Sequence, residues 1–210
     1  MLPMSFKSRL SLWLAAPLVV VGLAAGPVFS HIPIPPKKGE IGRRESNTPA
    51  PSFTLIDQSG AKFRFNPATG KFVLVTFVYT TCPDVCPLFT AKLASMQREL
   101  EQETRDDYLL LTITTDPARD TPAQMKAYAQ AFNADLRRWH FLTGGRKELA
   151  EVWKNFGVTV KDLNNGQVQH TNLTTLIDPR GIRRVDYYGD KWREKEILKD
   201  IARLRSSRRR

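Results

Sequence analysis

The sequence has 210 residues, of which 41% are hydrophobic and 25% charged, so it can bury a core and is not a disordered chain. The length suits one full domain with an appendage. A formal net charge of +11 fits nucleic acid, an acidic membrane surface or an acidic protein as partner. Only two cysteines and three histidines are present. They exclude a four-thiolate zinc site and a one-chain iron–sulfur cluster, and leave one disulfide or one small thiolate–imidazole metal site.

The first predicted element is an apolar segment, Leu10–Phe29, which runs for twenty residues without a charge. At about 1.5 Å per residue it just spans a hydrocarbon core of roughly 30 Å. With Lys7 and Arg9 before it, the segment is typical of a signal peptide or a signal-anchor, and its length favours the anchor. We expect the rest of the chain outside the cytoplasm, on the periplasmic side of a bacterial inner membrane, although the basic residues on both sides do not by themselves favour export. That location leaves no role for nucleic acid.

The next segment, residues 31–50, is rich in proline and poor in large apolar residues. Such a composition predicts an extended linker. The predicted organisation is therefore a membrane segment at 1–30, this linker, a domain at 51–206 and a short basic tail at 207–210.

The domain alternates predicted strands with predicted helices, and its first feature is a hairpin around Gln58-Ser59-Gly60. Hydrophobic periodicity places the other elements. Strands are predicted at 71–79, 108–114, 139–142, 173–177 and 182–187, and helices at 83–100, 121–132, 149–156 and 197–204. Alternating strands and helices, followed by a hairpin and a last helix, predict a three-layer α/β domain.

Two cysteines, Cys82 and Cys86, lie at the junction of the 71–79 strand and the 83–100 helix, which suggests a thioredoxin-like arrangement. The partial positive charge of a helix start stabilises a thiolate and lowers the pKa of a cysteine. On a helix, a four-residue spacing puts both sulfurs on one face, where they suit a soft metal ion. A loop-like first turn would permit a disulfide instead. The alternative to a functional pair is a structural disulfide or two buried thiols.

Two thiolates do not complete a metal site, so the histidines are the next candidates. His31 lies in the predicted linker, and His140 lies in the apolar 139–142 strand, where a core or edge role is expected. His170 follows the polar loop 164–167 and precedes the 173–177 strand. A loop histidine in that position is free to reach another loop, and an exposed histidine without a ligand role fits the same pattern.

The motif around the cysteines, residues 77–87 (FVYTTCPDVCP), resembles the signature of the Sco/SenC copper-binding proteins. These proteins assist assembly of the dinuclear copper centre of cytochrome c oxidase. Further blocks of the chain resemble the same family in the same order, namely 116–122 (DPARDTP), 139–144 (WHFLTG), and His170 followed by 176–181 (LIDPRG). The resemblance covers about residues 50–205. It implies a thioredoxin-like fold and copper bound by Cys82, Cys86 and His170.

A donor set of two cysteines and one histidine accepts Cu(I), and accepts Cu(II) with a further ligand. Zinc would take the same residues with a water. The resemblance implies a membrane-tethered metallochaperone that hands copper to an oxidase subunit, with other copper chaperones or thiol reductases as further partners. The alternative is an enzyme, a thiol–disulfide reductase that acts on the copper-ligand cysteines of that subunit through the redox-active pair Cys82 and Cys86. Only copper handling needs His170.

Three carboxylates near the motif each have two interpretations. Asp84 could bias the local charge or meet a partner, or it could simply suit a first helical turn. Asp116 and Asp120 follow the 108–114 strand, at the edge where such sheets place ligands. Helix capping explains Asp120 or Thr121 equally well.

Overall fold

The computed structural model describes residues 42–103 and 105–207. The predicted membrane segment, His31 and the start of the predicted linker lie outside the described residues. Among the residues that are described, no helix is long and apolar enough to cross a membrane.

Within these ranges the chain forms ten strands and four helices. In chain order they are β1 (Gly42–Pro49), β2 (Phe53–Ile56), β3 (Lys62–Phe65), β4 (Phe72–Val78), α1 (Val85–Gln102), β5 (Tyr108–Thr114), α2 (Pro122–Ala131), β6 (Trp139–Leu142), α3 (Arg146–Phe156), β7 (Val160–Asp162), β8 (Val168–His170), β9 (Leu173–Ile177), β10 (Ile182–Tyr188) and α4 (Glu194–Ser207).

A central sheet of six strands has the order β1-β10-β9-β4-β5-β6. Strands β4, β5 and β6 are parallel. Strand β9 pairs antiparallel with β4, β10 pairs antiparallel with β9, and β1 pairs antiparallel with β10. Every residue of β4 is buried, as expected for a strand that is covered on both faces.

The two faces of the sheet carry separate cores. Because successive side chains of a strand point to opposite faces, Phe72 and Leu74 of β4 join a core with residues of α1, α2 and α4. Val73 and Val75 join a second core with residues of α3 and of the β2–β3 hairpin. The three-layer α/β arrangement predicted from the sequence is therefore confirmed.

Several local signals appear in the structure as predicted. The hairpin pairs β2 with β3, and strands β5, β6 and β9 have the predicted bounds. Helix α2 begins at Pro122, and the Thr121 hydroxyl oxygen accepts a hydrogen bond from the backbone N–H of Gln124. Helix α3 ends at Phe156 and is capped by Gly157, whose φ of 78° is the left-handed conformation that glycine adopts without strain.

The structure differs from the sequence prediction at residues 42–49, which lie in the predicted linker but form β1. This strand pairs antiparallel with β10 and so covers what would otherwise be the open edge of the sheet. Arg43 also donates two hydrogen bonds of 2.8 Å to the carboxylate of Asp200 on α4. The strand forms because of these distant partners, and its own residues, GRRESNTP, carry no strand pattern.

A second difference concerns the segment before β9, which was predicted as a loop. It forms the short antiparallel hairpin of β7 and β8, whose turn uses positive φ angles at Asn164 and Gly166. His170 is the last residue of β8 and is fully buried. The prediction that His170 lies in a loop is thus wrong, because the residue belongs to a strand.

Candidate metal centre

The candidate site lies where β4 ends and α1 begins. Cys82 stands just before the helix and is 4% exposed, and Cys86 lies in the first helical turn with no exposed surface. Both cysteines pack in one small buried cluster with Val78, Tyr79 and Val168. The strand-to-helix junction therefore brings the two sulfurs to one place, as their spacing predicted, and the β7–β8 hairpin covers them. Both thiols are free of a disulfide in this structure.

The loop before Cys82 is fixed by Asp120, a carboxylate with no exposed surface. It accepts hydrogen bonds from the backbone N–H of Thr80 at 3.2 Å and from the Thr80 hydroxyl at 2.6 Å. The Thr114 hydroxyl at the end of β5 donates to it as well. Burial raises the pKa of Asp120, and the donated hydrogen bonds oppose that effect. Asp120 thus connects the cysteine loop to β5, and Thr121, not Asp120, caps α2.

The other two candidate carboxylates, Asp116 and Asp84, make different contacts from those of Asp120. Asp116 forms an ion pair with Arg119, and its backbone N–H donates to the Thr114 hydroxyl oxygen. Asp84 is exposed at the N-cap of α1, and its side chain makes no capping hydrogen bond. These contacts do not join either carboxylate to a sulfur, although the backbone N–H of Asp84 donates a hydrogen bond to the Cys82 sulfur.

The pKa values of the two thiols are shifted in opposite directions. The hydrogen bond from the Cys86 side chain, helped by backbone N–H groups, lowers the pKa of Cys82 to about 5 although burial opposes it. Burial, followed by that same hydrogen bond, raises the pKa of Cys86 well above its usual value. At neutral pH the pair therefore consists of a Cys82 thiolate that accepts a hydrogen bond from a Cys86 thiol.

The third candidate ligand, His170, reaches the pair from β8. Its Nε2 lies 3.9 Å from the Sγ of Cys86. Its Nδ1 lies 3.1 Å from the carbonyl oxygen of Thr171, and because a carbonyl oxygen only accepts, the Nδ1 carries the proton. In the neutral ring this leaves the Nε2 lone pair facing the sulfur, which is the form in which imidazole binds metals.

The three side chains supply the donor types of a soft-metal site, two sulfurs and one neutral imidazole. In this structure the contacts run from Cys82 to Cys86 and from Cys86 to His170. Among the described residues no group of three or more His, Cys, Asp or Glu side chains is already arranged around one metal position. A metal would therefore draw the Cys86 sulfur and the imidazole together after displacing the Cys86 proton.

His140, the histidine expected to have a core or edge role, lies away from the cysteines on β6. It is half-buried, and its ring lies 4.6 Å from the ring of Phe63. Burial lowers the pKa of His140. These surroundings agree with the core or edge role.

Some residues surround the two sulfurs without being candidate metal ligands, and these were not predicted from the sequence. Tyr79 and Thr80 lie within the motif, before Cys82, but were given no role of their own. Thr114 lies opposite Val78 in the β4–β5 register. The polar pattern Thr114-Thr115-Asp116 at the end of a buried strand was the available signal. Val168, which packs on both cysteines, had no such signal because its hairpin was not predicted.

A model of the SCO1/SenC family matches residues 42–206 of the chain. A SCO1/SenC family lipoprotein from Bacillus anthracis is 30% identical, with a TM-score of 0.70 over 77% of this chain and 97% of that one. BsSco, described as a Sco-family cytochrome c oxidase assembly protein with a disulfide switch, is 29% identical with a TM-score of 0.66 over 76% and 94%. Yeast Sco1 with copper bound is 31% identical with a TM-score of 0.65 over 76% and 90%. The fold is thus the mixed α/β, thioredoxin-like fold of these proteins.

Proposed function

This chain belongs to the SCO1/SenC family, and from that premise we propose that it is a membrane-tethered copper metallochaperone that helps assemble the copper centre of cytochrome c oxidase. Yeast Sco1, which shares the fold, has been solved with copper bound. BsSco is described as one of the cytochrome c oxidase assembly proteins. The single observation in this chain that carries the proposal is the buried contact between Cys86 and the unprotonated Nε2 of His170.

The proposed copper ligands are Cys82, Cys86 and His170, with copper as the cargo. The Cys82 sulfur is already a thiolate at neutral pH, so it is the first donor that an incoming Cu(I) ion meets. The Cys86 thiol gives up its proton as the ion binds. The imidazole needs no proton change. Because all three side chains are buried, a Cu(I) ion held by them would be kept out of water.

The proposed tether is the apolar segment Leu10–Phe29, which precedes the described residues. The Bacillus anthracis relative is described as a lipoprotein, and a lipid anchor would also hold its domain at a membrane. The segment therefore supports a domain held on the periplasmic side of a bacterial inner membrane, where an oxidase subunit would receive the copper.

The different acidities of the two thiols favour one alternative function, a thiol–disulfide reductase that acts on the copper-ligand cysteines of the oxidase subunit. The Cys82 thiolate would attack the partner's disulfide, form a mixed disulfide and release one partner thiolate. Cys86, after losing its proton, would attack Cys82, close the Cys82–Cys86 disulfide and release the second partner thiolate. BsSco is described as having a disulfide switch. His170 has no part in this exchange.

The variant His170→Ala separates the two functions, because it removes one copper donor and leaves both thiols. We expect anaerobic titration to show Cu(I) affinity weakened at least tenfold, which is about 1.4 kcal/mol. The rate of reduction of a model disulfide should change little. The matched control is His140→Ala, which removes a half-buried imidazole far from the sulfurs and should leave Cu(I) affinity unchanged.

The same variant distinguishes copper delivery from disulfide reduction in cells that depend on the oxidase. If copper delivery is the function, cells with His170→Ala should lose oxidase activity at limiting copper, and added copper should restore part of it. Normal oxidase activity in cells whose purified variant no longer binds Cu(I) would favour the reductase. Wild-type Cu(I) affinity in the purified variant would refute the assignment of His170 as a ligand.

A further inference from the structure

A buried hydroxyl group lies beside the proposed copper ligands without a conventional partner. Tyr79 has no exposed surface, and in the described part of the chain its phenol oxygen makes no hydrogen bond of ordinary geometry. The Cys82 side chain and the Val168 backbone are the hydrogen-bonding neighbours within its reach. Burying a hydroxyl without a hydrogen bond is costly, and most buried polar groups in proteins have partners. We therefore expect the Tyr79 hydroxyl to donate a well-formed hydrogen bond in another state of the site.

The surroundings of Tyr79 identify that state. The residue belongs to the cluster that contains Cys82, Cys86 and Val168, and its ring meets the ring of His170 edge-on, with centroids 6.0 Å apart. The Cys82 side chain is a hydrogen-bonding neighbour of the Tyr79 hydroxyl. A phenol is protonated at neutral pH and can donate a hydrogen bond, and the Cys82 sulfur is an acceptor within its reach.

We propose that the Tyr79 hydroxyl donates a hydrogen bond to the Cys82 sulfur when that sulfur is a thiolate or is bound to copper. Tyr79 is thereby a positioning residue, which acts through Cys82 and sets the reduction potential of the Cys82–Cys86 pair. An anionic sulfur accepts a strong hydrogen bond, whereas a disulfide sulfur is a weak acceptor. The hydroxyl therefore stabilises the reduced and metal-bound forms and leaves the disulfide form without that support.

The copper part of this inference rests on the proposed function, but the redox part does not. The relevant equilibrium is the exchange of the Cys82–Cys86 disulfide with two molecules of glutathione, which yields the protein dithiol and one glutathione disulfide. No copper takes part in it. A protein that fails to bind copper can therefore still confirm or refute the role of Tyr79.

The test compares Tyr79→Phe with Tyr128→Phe in the full-length, detergent-solubilised protein. Both substitutions remove only a hydroxyl. Tyr128 is the matched control because its hydroxyl is 2.9 Å from the Thr90 hydroxyl and also lies near both cysteines. We expect the glutathione exchange constant of Tyr79→Phe to shift at least tenfold towards the disulfide, which is about 30 mV for this two-electron couple. The constant of Tyr128→Phe should stay within about twofold of the wild type, well below that shift.

A second substitution at Tyr79 tests the proposal even if Tyr79→Phe fails to fold. Replacing Tyr79 by 3-fluorotyrosine keeps the shape of the ring and makes the hydroxyl a stronger donor, so the exchange constant should move towards the dithiol. In the Cu(II)-loaded protein, Tyr79→Phe should move the sulfur-to-copper charge-transfer band to longer wavelength, because the sulfur loses a hydrogen bond. An exchange constant that neither Tyr79 substitution changes, or that Tyr128→Phe changes equally, would overturn the proposal.

Discussion

Cys82 and Cys86 differ chemically although they belong to one motif and stand four residues apart. Cys82 precedes the helix and receives hydrogen bonds from the Cys86 side chain and from backbone N–H groups, whereas Cys86 is fully buried and donates. Either proposed function uses this difference. A thiolate that is present at neutral pH can capture Cu(I) or attack a disulfide, and the protonated partner supplies the second sulfur when it is needed.

This ionisation should make the stability of the reduced protein depend on pH. In the folded state the pKa of Cys82 is about 5, below its ordinary value of 9.0, so between these values the unfolded chain binds a proton that the folded chain does not. Stability contributed by Cys82 is then present above about pH 9 and is lost as pH falls towards 5.

We expect this dependence to disappear in Cys82→Ala. Chemical denaturation of both proteins under reducing conditions, across pH values from about 5 to 9, gives their difference in unfolding free energy. Relative to the variant, the wild type should gain stability as pH rises. Two pH profiles that run parallel across this range would refute a Cys82 thiolate in the folded protein.

At the level of elements, sequence prediction succeeded where the pattern is local. The apolar run of β4 itself indicates a buried strand, and the capping residue Thr121 indicates the start of helix α2 at the next position. Strand β1 could not be predicted in this way, because it forms only by pairing with β10 about 140 residues later. The β7–β8 hairpin has strands of three residues each, which is too short to show a period.

The same reasoning explains what could be predicted of the candidate site. Cys82, Cys86 and His170 were named from the sequence, the cysteines from their spacing and His170 from a family resemblance. The sequence did not predict that His170 would be buried on a strand, nor that Asp120 would fix Thr80. Both features depend on contacts between segments that are distant in the chain.

The Asp120 contacts lead to a prediction for the loop that carries the cysteines. Asp120→Ala leaves the part-buried donors of Thr80 and the buried hydroxyl of Thr114 without their acceptor. We expect the free energy of unfolding to fall by about 1–3 kcal/mol, measured by denaturation in urea. The control is Asp84→Ala at the N-cap of α1. Its side chain makes no capping hydrogen bond, so the usual cost of about 1 kcal/mol for losing a cap should be absent. Equal losses in the two variants would contradict the role given to Asp120.

At the scale of the whole molecule, β1 links the proposed tether to the candidate site. Its first residue, Gly42, pairs with Tyr188, and Tyr188 pairs with Leu173. Strand β9 runs antiparallel to β4, so these residues lie at the same end of the sheet as Val78, which leads to the cysteines. Adjacent strands are about 4.8 Å apart, and only β10 and β9 separate β1 from β4. The segment that precedes Gly42 therefore joins the domain at the end of the sheet that holds the site.

The last prediction concerns where the folded domain begins. The sequence pattern predicts a start at residue 51, whereas the structure adds β1 and the contact of Arg43 with Asp200. The Asp200 side chain is 8% exposed and also accepts a hydrogen bond from the Tyr187 hydroxyl. A fragment that begins at residue 51 exposes the edge of β10 and leaves Asp200 without its main cation.

We expect the fragment 51–210 to unfold at lower urea concentration than the fragment 42–210, and to associate more readily through the exposed edge. Two variants of the longer fragment separate the contributions. Arg43→Ala should lose about 1 kcal/mol or more, since two charge-assisted hydrogen bonds to a nearly buried carboxylate are lost. Arg44→Ala, the exposed neighbour on the same strand, should change stability by less than about 0.5 kcal/mol. Equal stability of the two fragments would show that β1 adds nothing to the fold, and that the domain begins at residue 51.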